Sequence, residues 1–403
     1  MTVLADRMTV HLVYVKGFSR ATPTAITNEL AERLRRHVRV KTYDYDDGGI
    51  IHPQPGDILI GHHHPDPTTL MARSVKAAGW RTKILMAPLA HSEKFLGWHT
   101  IGLAPIIERV DHFLAICGRY WFDTLPNSLV SHWGYKIRQL DLAVNRDHFP
   151  LLRRRWNTPG QRRFLYVGHT DACKGVDYLS ALADANPHLH IAWIGTGTMP
   201  SLRVHPLGYH PLTDEATRKT LRHYDFLLHC GRSDANPTTI LEAASLGLVP
   251  ICTPQSGYYR EDWVVNVPLD SVGPASAILE RLNFAGESEL DEWQRRGQAA
   301  LRGHYNWDRF TRDVLACIDS PAPGEPDDPA WLQRKTLNLR RLDELGRHWS
   351  LRPSWAGEAK HGVQKWRRRA QRRIKGCREN NRLLGFLLDP LRAHRQRRRR
   401  RTQ

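Results

Sequence analysis

Short apolar, β-branched runs alternate with stretches of helical spacing twice along this chain, and no feature narrows the possible folds more. Residues 10–15 read as a buried strand. Apolar positions at Ile26, Leu30 and Leu34 then trace one helical face before a second strand over 38–42, and the buried-strand signal recurs at 57–60, 83–86 and 112–116. Strands that are apolar throughout are covered on both faces, which implies parallel pairing with crossover helices. Residues 150–160, with three consecutive arginines and a Thr-Pro-Gly stop, read as a linker. The pattern then restarts, with strands over 164–167, 189–194, 226–229 and 249–252 and helices over 176–183, 214–223 and 237–246. The expected class is α/β: two doubly wound domains, residues 1–155 and 156–320. Such sheets bind ligands beyond the carboxyl ends of their strands, so a site between the two domains is expected. Trp307–Ile318 reads as a helix, and the Pro- and Asp-rich stretch 321–329 closes the globular part, leaving 321–403 as linker and tail.

Charge separates body from tail. Of the formal net charge of +18, residues 360–403 contribute +15, with 17 Lys+Arg against Glu379 and Asp389. The body is nearly neutral. Val363, Trp366, Ala370, Ile374 and Cys377 recur at spacings of three and four within this basic stretch, and Leu383, Leu384, Phe386, Leu387 and Leu388 follow. A basic amphipathic helix of this kind suits the surface of an anionic bilayer; a nucleic-acid tail is the rival reading, disfavoured by the interleaved leucines. Asp6 and Arg7 interrupt the apolar run that a secretory leader needs, and no stretch approaches a membrane span, so a cytoplasmic protein at the inner face of the membrane is expected. The six cysteines are scattered without a C-x-x-C pair, as reduced core thiols would be.

Chemistry concentrates in residues 233–247. Asn236 suits an N-cap, Pro237 the first helical position, and Gly247 the helix stop. The free N–H groups of Thr238 and Thr239 would then offer a phosphate site at the positive end of the helix. Asp234 stands just before that site and Glu242 lies inside the helix, so the pair can hold sugar hydroxyls and a ribose diol. A D-x7-E pair taken alone reads first as a capping charge and a solvated helix face. Its surroundings add to it: Gly168-His169 after a strand, Lys174-Gly175 at the mouth of the next helix with a lysine able to reach a diphosphate, Gly195-Thr196-Gly197 at another strand end, and Tyr209 after Gly208.

In this order the residues resemble the donor domain of the GT-B glycosyltransferases, in particular the retaining family 4 with its E-x7-E motif, over roughly residues 8–318. The resemblance implies the GT-B fold, two facing Rossmann-like domains around a cleft. It implies that Glu242 binds the donor ribose, Asp234 the transferred sugar and Lys174 the diphosphate. Gly17 matches the family's glycine loop, and His91 its active-site histidine in the first domain. Two departures stand out. Asp234 occupies the first acidic position, one methylene shorter than Glu, and His169 replaces an arginine, for which Arg232 is the expected substitute. His62, His63 and His64 are read as cleft lining, because consecutive strand residues face opposite ways and cannot all bind one metal. Asp44-Tyr45-Asp46 is read as a turn.

The function implied is transfer of a sugar from a UDP- or GDP-linked donor to a glycan or lipid-linked acceptor, with retention and without a metal or other cofactor. His91, Lys174 and Asp234 are the expected catalytic residues. The remaining alternatives are a sugar-nucleotide epimerase or phosphorylase, and a noncatalytic protein of this fold that binds sugar nucleotides or RNA.

Overall fold

The computed structural model describes residues 8–14, 24–62, 69–93, 104–152 and 155–350. Both sheets belong to one compact unit that ends at Gly346. The first sheet contains β1 (Thr9–Val13), β2 (Arg39–Tyr43), β3 (Ile58–Gly61), β4 (Thr82–Pro88), β5 (His112–Ile116) and β6 (Ile137–Gln139), all parallel, in the order β2-β1-β3-β4-β5-β6. The second contains β7 (Arg163–Val167), β8 (His190–Ile194), β9 (Val204–Gly208), β10 (Phe226–His229), β11 (Val249–Cys252) and β12 (Val265–Asn266), again parallel, in the order β12-β11-β10-β7-β8-β9.

Each order reverses once, between β1 and β3 in the first sheet and between β7 and β10 in the second. At such a switch point the loops leave to opposite faces of the sheet and a crevice opens beyond the strand ends. Tyr14 and His62 follow β1 and β3; Gly168 follows β7 and His229 ends β10. The two switch points therefore supply lining from both halves to one cleft.

The interior strands β1, β3, β5, β10 and β11 are buried at every residue, which is why they stand out as apolar runs. The strands not foreseen are β6, β9 and β12. Each is an edge strand of its sheet, and each is only partly buried.

The chain returns from the second half to the first. Asn306 caps the helix Trp307–Ile318 by accepting from the Arg309 N–H at 2.9 Å, and Phe310, Val314 and Ile318 form its buried face. That helix packs on Thr24–Leu34, with Arg33 3.2 Å from Asp308. The buried Arg309 guanidinium donates to the carbonyls of Asp141 and Leu142, fastening the crossover to the first half.

Residues 321–403, expected to be linker and tail, include a 22-residue helix, Pro329–Ser350. Trp331 donates to the His132 carbonyl at 3.0 Å, and Leu342 is buried in the core of the first half. Its apolar positions are sparse among charges, so the spacing went unread as a packing face. Residues 360–403, Gly17, His63 and His64 lie outside the described residues. No helix among the described residues is long and apolar enough to cross a membrane, and the five cysteines among them are free thiols.

Candidate functional site

A cleft of about 530 Å³ takes lining from both halves, including Tyr14, His62 and Leu142 from the first and Lys174, Asp234 and Glu242 from the second. Lys174 reaches it because β7 ends in a tight turn that delivers the 3-10 segment Ala172–Lys174. Gly175 then reverses the chain at φ +66° into the helix Val176–Ala185. The Cys173 carbonyl accepts from the N–H groups of Arg232 and Ser233, at 2.8 and 3.1 Å, and binds the lysine turn to the loop after β10. A Cβ on Gly175 would overlap the carbonyl oxygen of Cys230. The Lys-Gly pair is thus a packing requirement as well as a chemical one. Gly175→Ala should destabilise the fold by about 3 kcal/mol, read as a lowered urea midpoint at unchanged slope; a shift below 1 kcal/mol would show that the turn relaxes freely.

The Asp234 carboxylate is shared. Its Oδ2 lies 2.5 Å from Lys174 Nζ and 3.1 Å from His229 Nε2. Burial pushes the Asp234 pKa up, but the Lys174 ammonium and the His229 hydrogen bond outweigh it, and the net shift is far below the usual carboxylate range. Lys174 is raised in turn, the pull of Asp234 exceeding the opposing effect of its own burial. With Asp234 ionised, the hydrogen between the two must sit on His229 Nε2. His229 is a site residue the sequence reading missed, although a histidine closing an apolar strand at the carboxyl end of a sheet is a legible signal.

The helix Thr238–Leu246 begins one residue later than expected. Pro237 occupies the cap position with extended backbone, and no side chain caps the helix. The N–H groups of Thr238 and Thr239 are left at the cleft, beside Lys174. Asn236 does not cap; its Oδ1 accepts from the Leu142 N–H at 2.8 Å instead. Glu242, only 9% exposed, is hydrogen-bonded to Thr238, yet burial raises its pKa to about 7.

Three consecutive residues of this loop are held by the first half. The Asp234 carbonyl accepts from Trp121 Nε1 at 2.9 Å, the Ala235 carbonyl from the Gly118 N–H at 2.8 Å, and Asn236 from Leu142. Gly118 has no room for a side chain, because the Gly257 backbone lies where its Cβ would be.

Other expected site residues fall in different places. Gly168, His169, Gly195 and Tyr209 line the cleft, with His169 Nδ1 2.6 Å from the Thr196 hydroxyl and Tyr209 64% exposed. A Cβ on Gly195 would overlap the Gly168 carbonyl, so that glycine serves the approach of two strand ends. Gly197, at φ +119°, packs on Thr170 and is not part of the lining. Arg232, expected to replace the missing arginine, is turned away from the cleft. Its guanidinium grips Asp177 through two hydrogen bonds, at 3.2 and 2.9 Å, and also pairs with Asp270.

His91 is buried beside Trp121 rather than in the lining, its Nε2 2.8 Å from the Trp121 carbonyl and its pKa lowered by burial. Among the described residues its link to the site runs through Trp121, which holds the Asp234 carbonyl. Asp44-Tyr45-Asp46 is a turn: Asp44 Oδ1 accepts from the Asp46 N–H and the Asp47 carboxylate accepts from the Asp44 N–H.

Solved structures share this architecture. Sucrose-phosphate synthase from Thermosynechococcus elongatus superposes with a TM-score of 0.58 at 13% identity, covering 77% of this chain and 98% of its own. The lipopolysaccharide outer core galactosyltransferase gives 0.56 at 14% identity over 77% and 99% of the two chains. An α-glucosyltransferase in complex with UDP and a 13-mer DNA gives 0.55 at 12% identity over the same shares. The chain has the GT-B fold. At these identities the likeness establishes the GT-B architecture alone. No family model matches the sequence, and no curated protein sequence matches it.

Proposed function

We propose that this GT-B chain is a glycosyltransferase that moves a sugar from a nucleoside-diphosphate donor to a glycan or lipid-linked acceptor, with retention. The observation that carries the reading is convergence. Lys174, the open N-terminus of the helix Thr238–Leu246 and Glu242 meet in a single cleft. Departure of a nucleoside diphosphate from an anomeric carbon builds negative charge on the leaving phosphate. The Lys174 ammonium and the Thr238 and Thr239 N–H groups stabilise that charge, and preorganised donors of this kind supply much of an enzyme's rate enhancement. Lys174 spends one N–H on Asp234 and keeps two for phosphate. Glu242 receives the ribose diol, and Asp234, fixed by Lys174 and His229, faces the transferred sugar. The departing phosphate oxygen takes the acceptor's hydroxyl proton on the same face, which accounts for retention with no protein nucleophile and no metal.

A thermal-shift panel of UDP- and GDP-sugars tests the assignment. One donor should raise the melting temperature of the wild type by several degrees, and Glu242→Ala should lose that rise. A panel without any stabilising nucleotide sugar would contradict the reading.

We extend the proposal to residues 360–403, which would hold the enzyme on an anionic bilayer. Each basic residue near such a surface contributes about 1 kcal/mol, an attraction that salt screens. The full chain should sediment with phosphatidylglycerol vesicles at low salt, release at high salt, and fail to sediment once 360–403 are removed. Sedimentation unchanged by that truncation, or a preference for RNA over vesicles, would refute it.

A further inference from the structure

Asn236 carries a hydrogen-bonding capacity that the fold leaves unused. It is 4% exposed and lines the cleft, and its Oδ1 is committed to the Leu142 N–H at 2.8 Å. That bond fixes the orientation of the amide, so the NH2 end is Nδ2, and Nδ2 has no partner. A buried amide donor without a partner costs about 1–3 kcal/mol, and such groups call for an occupant. Of the eight buried side-chain polar atoms without a partner among the described residues, two belong to residues that line the cleft: Asn236 Nδ2 and His229 Nδ1. His229 ends β10 and bonds Asp234 through its other ring nitrogen. Unused polar capacity thus lies in the cleft wall next to Asp234.

We propose that the Asn236 side-chain amide is a sugar-reading group, donating to a hydroxyl of the transferred sugar while its oxygen stays clamped to the first half. The proposal rests on the reading of the cleft as a nucleotide-sugar site and adds the residue that distinguishes a sugar-bearing donor from a bare nucleoside diphosphate. A neutral polyhydroxyl ring fits the site. Its oxygens accept from the amide, and its hydroxyl hydrogens find Asp234 Oδ1, for which no hydrogen bond is formed within the described residues. A phosphate does not fit as well. It would bring its charge against the Asp234 carboxylate, whereas Lys174 and the helix mouth already serve it.

The test compares affinities by titration calorimetry for UDP with UDP-glucose and for GDP with GDP-mannose, in wild type, Asn236→Asp and Asn236→Ala. The readout is the ratio of nucleoside-diphosphate to nucleotide-sugar dissociation constants. Asn236→Asp keeps the acceptor for Leu142 and removes the donor. Its added charge repels the bare diphosphates more than the sugar-linked ones, because a free terminal phosphate carries about one more negative charge, so this bias runs against the predicted loss and cannot produce it. Asn236→Ala removes the donor without adding charge, and it carries the comparison if Asn236→Asp does not fold.

The sugar should tighten binding to the wild type in one of the two pairs. Both variants should lose three- to tenfold of that preference, a hydrogen bond's worth, while the Glu242-dependent affinity for the bare diphosphate remains. An unchanged ratio, or a wild type that does not prefer the sugar, overturns the role of Asn236 and leaves the nucleotide site standing. A wild type that binds none of the four ligands overturns both.

Discussion

Lys174→Met should lower sugar-transfer turnover by about 10²–10³-fold, the usual cost of removing one preorganised donor from a developing anion. It should also cost the fold about 2–3 kcal/mol at pH 7. Breaking a fully buried pair costs 3–5 kcal/mol; the lower figure applies here because the Lys174 side chain is 25% exposed. The penalty has a pH signature. In the wild type the Asp234 pKa is depressed, so the stability contributed by the pair is complete above the ordinary carboxylate range and fades only in strong acid. In Lys174→Met burial is opposed by His229 alone and the Asp234 pKa rises. The variant's deficit should therefore shrink as pH falls from 7 towards 4, when the carboxyl takes up its proton. Adding Asp234→Asn should restore most of the stability at pH 7 and none of the turnover. Urea titrations and turnover measurements on the same three proteins check both effects. A deficit independent of pH would show that the lysine matters through its packing alone.

Glu242→Gln should make the free protein more stable and the nucleotide complex weaker. Burial raises the Glu242 pKa to about 7 from an ordinary 4.5, so the folded state binds the proton more tightly than the unfolded state between those values. Stability from this group is complete below pH 4.5 and is lost as pH rises towards 7. The shift corresponds to about 3 kcal/mol. Glutamine has no proton to lose, so the variant should gain about 2–3 kcal/mol over wild type at pH 8 and almost nothing at pH 4.5. The same change removes the carboxylate proposed to accept from both hydroxyls of the ribose, so the stabilisation by nucleotide sugar should largely vanish. A variant no more stable at pH 8 than wild type would show that Glu242 is already ionised without cost in the free cleft.

What could be read from the chain follows from burial. Interior strands such as β10, buried at every residue, spell short apolar runs whose length separates them from helices. β9, with Val204 and Leu207 among exposed neighbours, has one sheet neighbour and no such run. The helix Pro329–Ser350 was hidden for a related reason: its partner lies far back in the sequence, and its buried apolar residues, Trp331 and Leu342, are diluted by charge. Asp234 and Glu242 stand out in the sequence because one loop and the helix after it carry them at fixed spacing, and Lys174 because it precedes a glycine at the mouth of another helix. Arg232 was misplaced because only the fold reveals that Asp177 and Asp270 claim its guanidinium first. Asn236 looked like a cap because the sequence could not show the Leu142 N–H beside it.

The central claim is that one ammonium, one helix mouth and one carboxylate grip a single nucleoside diphosphate sugar. A crystal structure of the protein with the UDP- or GDP-sugar that stabilises it most tests this directly. The account places the diphosphate against Lys174 Nζ and the N–H groups of Thr238 and Thr239, with the ribose hydroxyls on Glu242. A nucleotide seated outside that cleft, or within it with its phosphates away from Lys174, would contradict it.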